Sequence, residues 1–175
     1  MLTNTQIVAA LALLVSVLSF GLSFMQVLIQ RIHNKKTVTP IGQIDLGDLP
    51  EIIYVYVSNN GTGPLILKKL TFHKGGKYYF DIVDCLDLDK KAYNHVTINN
   101  EVSKAILPAK HFTVFELSYD THSEDFKTSL RKKIAEISME AEYRDVYGTK
   151  YKVKRDFGWF TRHPPVEKIN SDVEP

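Results

Sequence analysis

A single cysteine, Cys85, is all the thiol chemistry that the 175-residue chain carries. One thiol excludes a disulfide framework and any thiolate metal site built within one chain, and it agrees with a reducing compartment. Charge of one sign is lacking as well. The 22 lysines and arginines stand against 20 aspartates and glutamates, a net +2. That balance argues against a general binder of duplex nucleic acid, which would show a strongly basic face. No repeat of solenoid length is present.

Catalytic signatures are missing too. His33, His73, His95, His111, His122 and His163 are scattered and form no His-Glu-x-x-His pair. Gly61-Thr62-Gly63-Pro64 precedes Lys68-Lys69, but a P-loop needs Gly-Lys-Ser/Thr opening a helix, and a strand follows here. There is no nucleophile elbow. Asp81, Asp84, Asp87 and Asp89 lack the glycine and closing glutamate of a calcium loop and read as solvated surface. The expectation is a protein that is not an enzyme and holds neither metal nor cofactor.

The most informative absence is charge between Thr5 and Gln30. A helix spans a bilayer with roughly 20 apolar residues at about 1.5 Å each, so this run is read as a transmembrane helix. Its small and polar residues, Thr5, Ala9, Ala12, Ser16, Ser19, Ser23, Gln26 and Gln30, recur at alternating spacings of four and three. Lipid gives no reward for burying apolar surface between helices, so such a stripe marks a contact face, and its period fits left-handed winding. Three readings stand open: a homo-oligomer seam, a monomeric anchor, and a seam for another membrane protein. The apolar run exceeds a signal peptide's, and no Lys or Arg precedes it, so cleavage is not expected. Arg31, Lys35 and Lys36 follow it, which by the positive-inside rule leaves a short N-terminus outside and the remaining mass in the cytosol.

The expected organisation is a membrane helix over 1–30, a juxtamembrane linker over 31–40, a cytosolic β-domain over 41–162 and a flexible acidic tail over 163–175. About 145 residues outside the anchor suffice for one domain with a core. Ile52 to Ser58 alternates Ile53, Val55 and Val57 with Ile52, Tyr54 and Tyr56, as in a strand covered on both sides. Asn59 to Pro64 reads as a turn with glycines available for positive φ, and the glycosylation-like Asn60-Gly61-Thr62 reads as turn chemistry. Leu65–His73 and Lys77–Ile82 flank Gly75-Gly76, a two-residue hairpin signal. Asp84–Tyr93 reads as a short helix, and Val96–Asn99 and Val102–Leu107 as short strands or loop.

His111–Tyr119 is expected as a strand with Thr113, Phe115, Leu117 and Tyr119 on one face. Ser123 caps an expected helix over Glu124–Lys133, with acids first and Arg131, Lys132 and Lys133 last. Ala135 to Tyr143 and Lys150 to Arg155 alternate around a turn at Asp145–Gly148, placing acids beside lysines on a wet face. The fold class is therefore mainly β: one N-terminal transmembrane α-helix, then an antiparallel β-sandwich or open barrel of about six to eight strands with one or two short helices.

Asn59-Asn60-Gly61-Thr62-Gly63-Pro64 after an early strand, and Tyr143-Arg144-Asp145-Val146-Tyr147-Gly148 between the last two, resemble turns of small bacterial membrane-anchored β-sandwich proteins. The layout is similar to that of antiphage membrane effectors that respond to cyclic nucleotides. The resemblance implies a bacterial inner-membrane location and carries over no ligand-binding residue. For an anionic ligand the residues offer three basic groups: Lys68, Lys69, His73, Lys74 and Lys77; Lys104, Lys110 and His111; and Arg131, Lys132 and Lys133. Phe72 beside His73-Lys74, and Lys77 beside Tyr78-Tyr79, pair a ring with a cation as base stacking and phosphate contact require. The bland alternative makes Phe72 and Tyr78 core residues. Trp159-Phe160 is read as a core plug, or else as an aromatic-basic contact with the inner leaflet. Two functions follow: an oligomeric sensor-effector that binds a nucleotide-like anion and disturbs the membrane, or a tethered module that docks a cytosolic protein.

Overall fold

The computed structural model describes residues 3–86, 94–95, 103–119 and 122–162. The expected tail and the stretches Asp87–Tyr93 and Val96–Asn99 lie outside these residues. The chain divides into two units at Thr39 and Pro40.

The first unit is one helix, α1, over Asn4–Thr37. Thr3 and Gln6 cap it reciprocally: Gln6 N–H donates to Thr3 Oγ1 (3.4 Å) and Thr3 N–H to Gln6 Oε1 (3.0 Å). Nothing breaks it at Gln30. The expected linker lacks glycine and proline before Pro40, and Lys35 and Lys36 complement the negative end of the helix dipole. Residues 31–37 are therefore helical, a correction to the expected boundary. The helix is long and apolar enough to cross a membrane. Along its small-residue stripe, Ser16 Oγ donates to the Ala12 carbonyl (2.8 Å) and Ser23 Oγ to that of Ser19 (2.9 Å). Both hydroxyls are thus satisfied within their own helix.

The second unit is a β-sandwich. Its elements are β1 (Gly42–Asp48), β2 (Ile52–Asn59), β3 (Leu65–Lys74), β4 (Lys77–Tyr79), β5 (Asn94–His95), β6 (Lys104–Ile106), β7 (His111–Ser118), α2 (Glu124–Ala135), β8 (Ser138–Arg144) and β9 (Lys150–Asp156). The first sheet runs β1-β2-β7-β5 and the second β4-β3-β8-β9, with β6 also on β3. Every pairing is antiparallel.

Alternation sets which side chains meet between the sheets. Ile44, Leu46, Ile53, Val55, Val57, Phe115 and Leu117 face Leu65, Leu67, Leu70, Phe72, Met139, Ala141 and Tyr143, all buried. Leu130 and Ile134 of α2, with Phe157 and Phe160, complete the core. Phe160 is thus the expected plug, and Arg162 lies 3.4 Å over the Trp159 ring. Along β1 the sheets are joined by side chains. Gly42 N–H donates to the Tyr143 hydroxyl (3.0 Å), and the Arg155 guanidinium donates to the Ile44 carbonyl. A Cβ at Gly42 would stand 2.6 Å from the Tyr143 ring, so only glycine permits that approach.

Two bulges shift parity. In β3 the register moves between Leu67 and Lys69, which keeps Leu67 and Leu70 both on the core face. In β7 Val114 is the extra residue, so Phe112, Phe115 and Leu117 point inward while Thr113 pairs with Tyr56 on the outer side. The expected shared face of Thr113 and Phe115 is corrected by that bulge. The two-sided cover expected for Ile52–Ser58 is also corrected. Tyr54 and Tyr56 are half-buried in the first sheet's outer face, where Tyr56 stacks on both Tyr54 and His111 at 4.2 Å.

The hairpin at Gly75-Gly76 holds as expected, with φ of 55° and 75°. Gly61 and Gly63 are not among the positive-φ glycines. Asn59 orders that turn instead: fully buried, it donates from Nδ2 to the Gly63 (2.8 Å) and Ile106 (2.9 Å) carbonyls. After β4 a 3-10 turn forms over Ile82–Cys85, capped by Asp81 accepting from Val83 N–H at 3.0 Å; it takes in the start of the expected Asp84–Tyr93 helix, most of which lies outside the described residues. Ser123 caps α2 through Phe126 N–H (3.3 Å), and Asp125 and Lys133 stand at the expected ends.

Candidate functional site

The outer face of the second sheet holds a groove of about 400 Å³ lined by Lys69, Thr71, His73, Tyr78, Phe80, Glu140, Glu142 and Lys154. Register builds it. Lys69 lies opposite Glu142 and Thr71 opposite Glu140, while Glu140 lies opposite Lys154 across the next ladder. Tyr78 faces His73 across the hairpin, ring edge to face at 3.9 Å. Phe80 follows β4, and Lys69 Nζ sits 5.0 Å above its ring. Both aromatic rings are more than half exposed.

Charge in the groove is mixed. Lys152 Nζ, beside it on β9, donates to Glu140 (2.9 Å) and Glu142 (3.3 Å). The hydrogen bond from Lys152 holds the Glu140 carboxyl below its ordinary range and raises the lysine. This is the acid–lysine face read from alternation. Lys154 and Lys69 add cationic ends on either side of the two carboxylates.

The three basic groups of the sequence do not converge. Lys69 and His73 line the groove. Lys68, on the bulge, donates to Ser103 Oγ. Lys74 donates to the Cys85 carbonyl (2.9 Å) and lies 3.5 Å from Glu136. Lys77 is exposed in the hairpin. Lys104 is exposed on β6, Lys110 on the turn before β7, and His111 on the first sheet. Arg131 is structural: its Nε and Nη2 grip Asp48 Oδ2 (2.8 Å) and Oδ1 (3.1 Å), and that carboxylate is 1% exposed. Tyr119 adds a hydroxyl to the same carboxylate (3.3 Å), and burial beside it pushes the phenol upward. Lys132 is exposed and Lys133 half-buried on α2. Phe72 is core, whereas Tyr78 is a surface ring, so the bland reading holds for one and not the other.

Phe80, Glu140, Glu142 and Lys154 were not foreseen as partners of the first hairpin. Their parity was visible, since each is a polar or exposed position of its strand. The missing fact was that β3 pairs with β8. Among the described residues no group of three His, Cys, Asp or Glu is placed to hold a metal ion. No protein-family model matches the chain, and no curated protein matches it.

Proposed function

We propose that the protein is a single-pass, homo-oligomeric membrane protein whose cytoplasmic β-domain senses a small anionic ligand, a nucleotide by class, in the groove on the second sheet. Binding shifts the subunit arrangement, and the α1 helices, meeting along Ala9, Ala12, Ser16, Ser19, Ser23, Gln26 and Gln30, perturb the bilayer. The carrying observation is the placing of two exposed rings, Tyr78 and Phe80, beside Lys69, His73 and Lys154. Stacking a base on such rings contributes about 1–3 kcal/mol. The ammonium groups suit phosphate, and Glu140 and Glu142 accept from a base's exocyclic amine. Transmission needs two arrangements with different ligand affinity. Cytoplasmic orientation rests on Arg31, Lys35 and Lys36.

The test is thermal unfolding of the detergent-solubilised full chain with a panel of cyclic nucleotides. A ligand at about a hundred times its Kd stabilises by about 2.7 kcal/mol. The shift should vanish in Tyr78→Ala and Lys69→Ala, and membrane depolarisation in cells should need both the nucleotide and Ser16, Ser19 and Ser23. No stabilisation by any nucleotide would overturn the reading.

The pairing of Glu140 and Glu142 against Lys69 and Lys154 favours a second reading, a tethered module that docks a cytosolic protein on this face. Charge reversal at Glu140 and Lys154 would then abolish co-purification of one defined protein, with no depolarisation under any condition.

A further inference from the structure

The strand register gathers three turns and the start of β1 at one end of the sandwich: the β2–β3, β6–β7 and β8–β9 turns lie beside the chain's entry. Gly42 pairs with Asn59, Ser58 with His111, Leu65 with Ile106 and Arg144 with Lys150. The Gly42–Tyr143 hydrogen bond of 3.0 Å joins the two sheets there. Each of Ile41, Leu107, Val146 and Tyr147 at these turns is more than half exposed. The far end exposes Leu49 at the β1–β2 turn and Tyr78 and Phe80 beside the β3–β4 hairpin, the two rings that border the groove.

These tips are held, not loose. Asn60 N–H donates to the Ile41 carbonyl (2.8 Å), Ala109 N–H to that of Asn59 (2.9 Å), and Asn59 N–H to that of Lys110 (3.0 Å). Ala109 sits at φ 57°, a left-handed conformation that costs a non-glycine residue energy. The buried Asp145 accepts from Tyr147 N–H (2.9 Å) and Thr149 N–H (2.8 Å), fixing the Val146-Tyr147 tip. Lys110, Arg144 and Lys150 are exposed around the tips, and the turns 59–64, 107–110 and 144–149 contain no acid other than Asp145.

The chain from α1 arrives at this same end. Thr37 ends the helix and Gly42 opens β1, a gap that cannot exceed about 17 Å even when fully extended. Apolar tips ringed by cations, tethered that close to a membrane-spanning helix, match the composition of interfacial anchors on anionic lipid. We infer that this end of the sandwich docks on an anionic bilayer surface, with Ile41, Leu107, Val146 and Tyr147 entering the interface and Lys110, Arg144 and Lys150 meeting lipid phosphates. The inference rests on α1 lying in the membrane and not on the ligand of the groove.

Single cysteines at Leu107, Tyr147, Leu49 and Val15, carrying nitroxide labels, test it in the full chain reconstituted into vesicles of phosphatidylethanolamine and phosphatidylglycerol. Cys85 is buried and its thiol is pushed up to about 11 by that burial, so the introduced thiols take the label. Labels at Leu107→Cys and Tyr147→Cys should collide severalfold more with oxygen than with an aqueous nickel chelate, as at Val15→Cys, while Leu49→Cys shows the reverse. Charge removal by Lys110→Gln with Lys150→Gln, or vesicles of phosphatidylcholine alone, should return the tips to water. Aqueous behaviour of the tips beside a lipid-embedded Val15→Cys would overturn the docking alone, and an aqueous Val15→Cys would overturn the membrane reading itself. Shielding that disappears when the protein is diluted in lipid would assign the end to a second copy and also overturn it.

Discussion

The two outer faces of the sandwich are built from similar residues and end in different states. On the first sheet, Tyr54, Tyr56 and His111 stack into a ladder, the Tyr56 hydroxyl donates to Glu116, and Ser58 Oγ donates to Asp45. Burial, then that hydrogen bond and the Glu116 charge, raise the Tyr56 phenol well above its ordinary value. On the second sheet, Tyr78 and Phe80 stand apart over a groove, with Lys69 over one ring and His73 against the other. Both faces combine rings, cations and carboxylates. The second sheet has a groove beside its rings, so composition alone does not distinguish a binding surface from a stacked one.

Substitutions can break this contrast in order of expected effect. Phe72→Ala removes a core ring under the groove and should cost about 3–5 kcal/mol, destabilising both faces together. Denaturant unfolding of the full chain checks it, and a loss confined to the groove would mean the sheets do not share one core. Next comes Tyr56→Phe, which takes the hydroxyl from a half-buried carboxylate and should cost about 1–3 kcal/mol. Tyr78→Phe, by contrast, should stay within about 0.5 kcal/mol. Equal costs for the two would erase the distinction between faces.

Acid should separate the sheets further. Asp145 is disfavoured as an anion by burial, yet hydrogen bonds from Thr149, Tyr147 and Tyr151 outweigh this and lower its pKa. Glu140 is lowered by its bond from Lys152. A carboxyl with a depressed folded pKa contributes stability that is complete above the unfolded value, near 3.9 for Asp and about 4.3 for Glu, and is lost as pH falls through the folded value. Hydrogen exchange should therefore show β8–β9 loosening before β2–β7 as pH drops, and Asp145→Asn should remove most of that sensitivity. Simultaneous loss in both sheets would contradict it. The smallest effect is expected for Lys152→Ala, an exposed and solvent-screened pair whose loss should leave the thermal unfolding midpoint nearly unchanged.

Much of this arrangement was legible in the chain, for definite reasons. Gly75-Gly76 announced its hairpin because few other pairs accept two positive φ angles. Ser123 with Glu124 and Asp125 marked the start of α2, and strict alternation marked β8 and β9. Bulges were harder to see: the Leu67–Leu70 spacing and the crowded Phe112–Phe115 run hide an extra residue that only the partner strand reveals. Asn59 looked like one more turn residue, yet its burial among the carbonyls of Gly63 and Ile106 depends on β6, which lies far along the chain. The groove was half legible. Lys69, His73 and Tyr78 belonged to one hairpin, but Glu140, Glu142 and Lys154 arrive through a long-range ladder. The three basic groups failed to merge because Arg131 and Lys74 each have a partner in the fold, Asp48 and the Cys85 carbonyl.

The join along β1 carries a consequence for crowding. Exposed strand margins at high local concentration are the setting in which sheets fuse from molecule to molecule. With the Gly42 amide and the Ile44 carbonyl already engaged by Tyr143 and Arg155, these two outward groups of the margin are unavailable to a neighbouring strand. The start of β1 is therefore a poor seed for fibre growth.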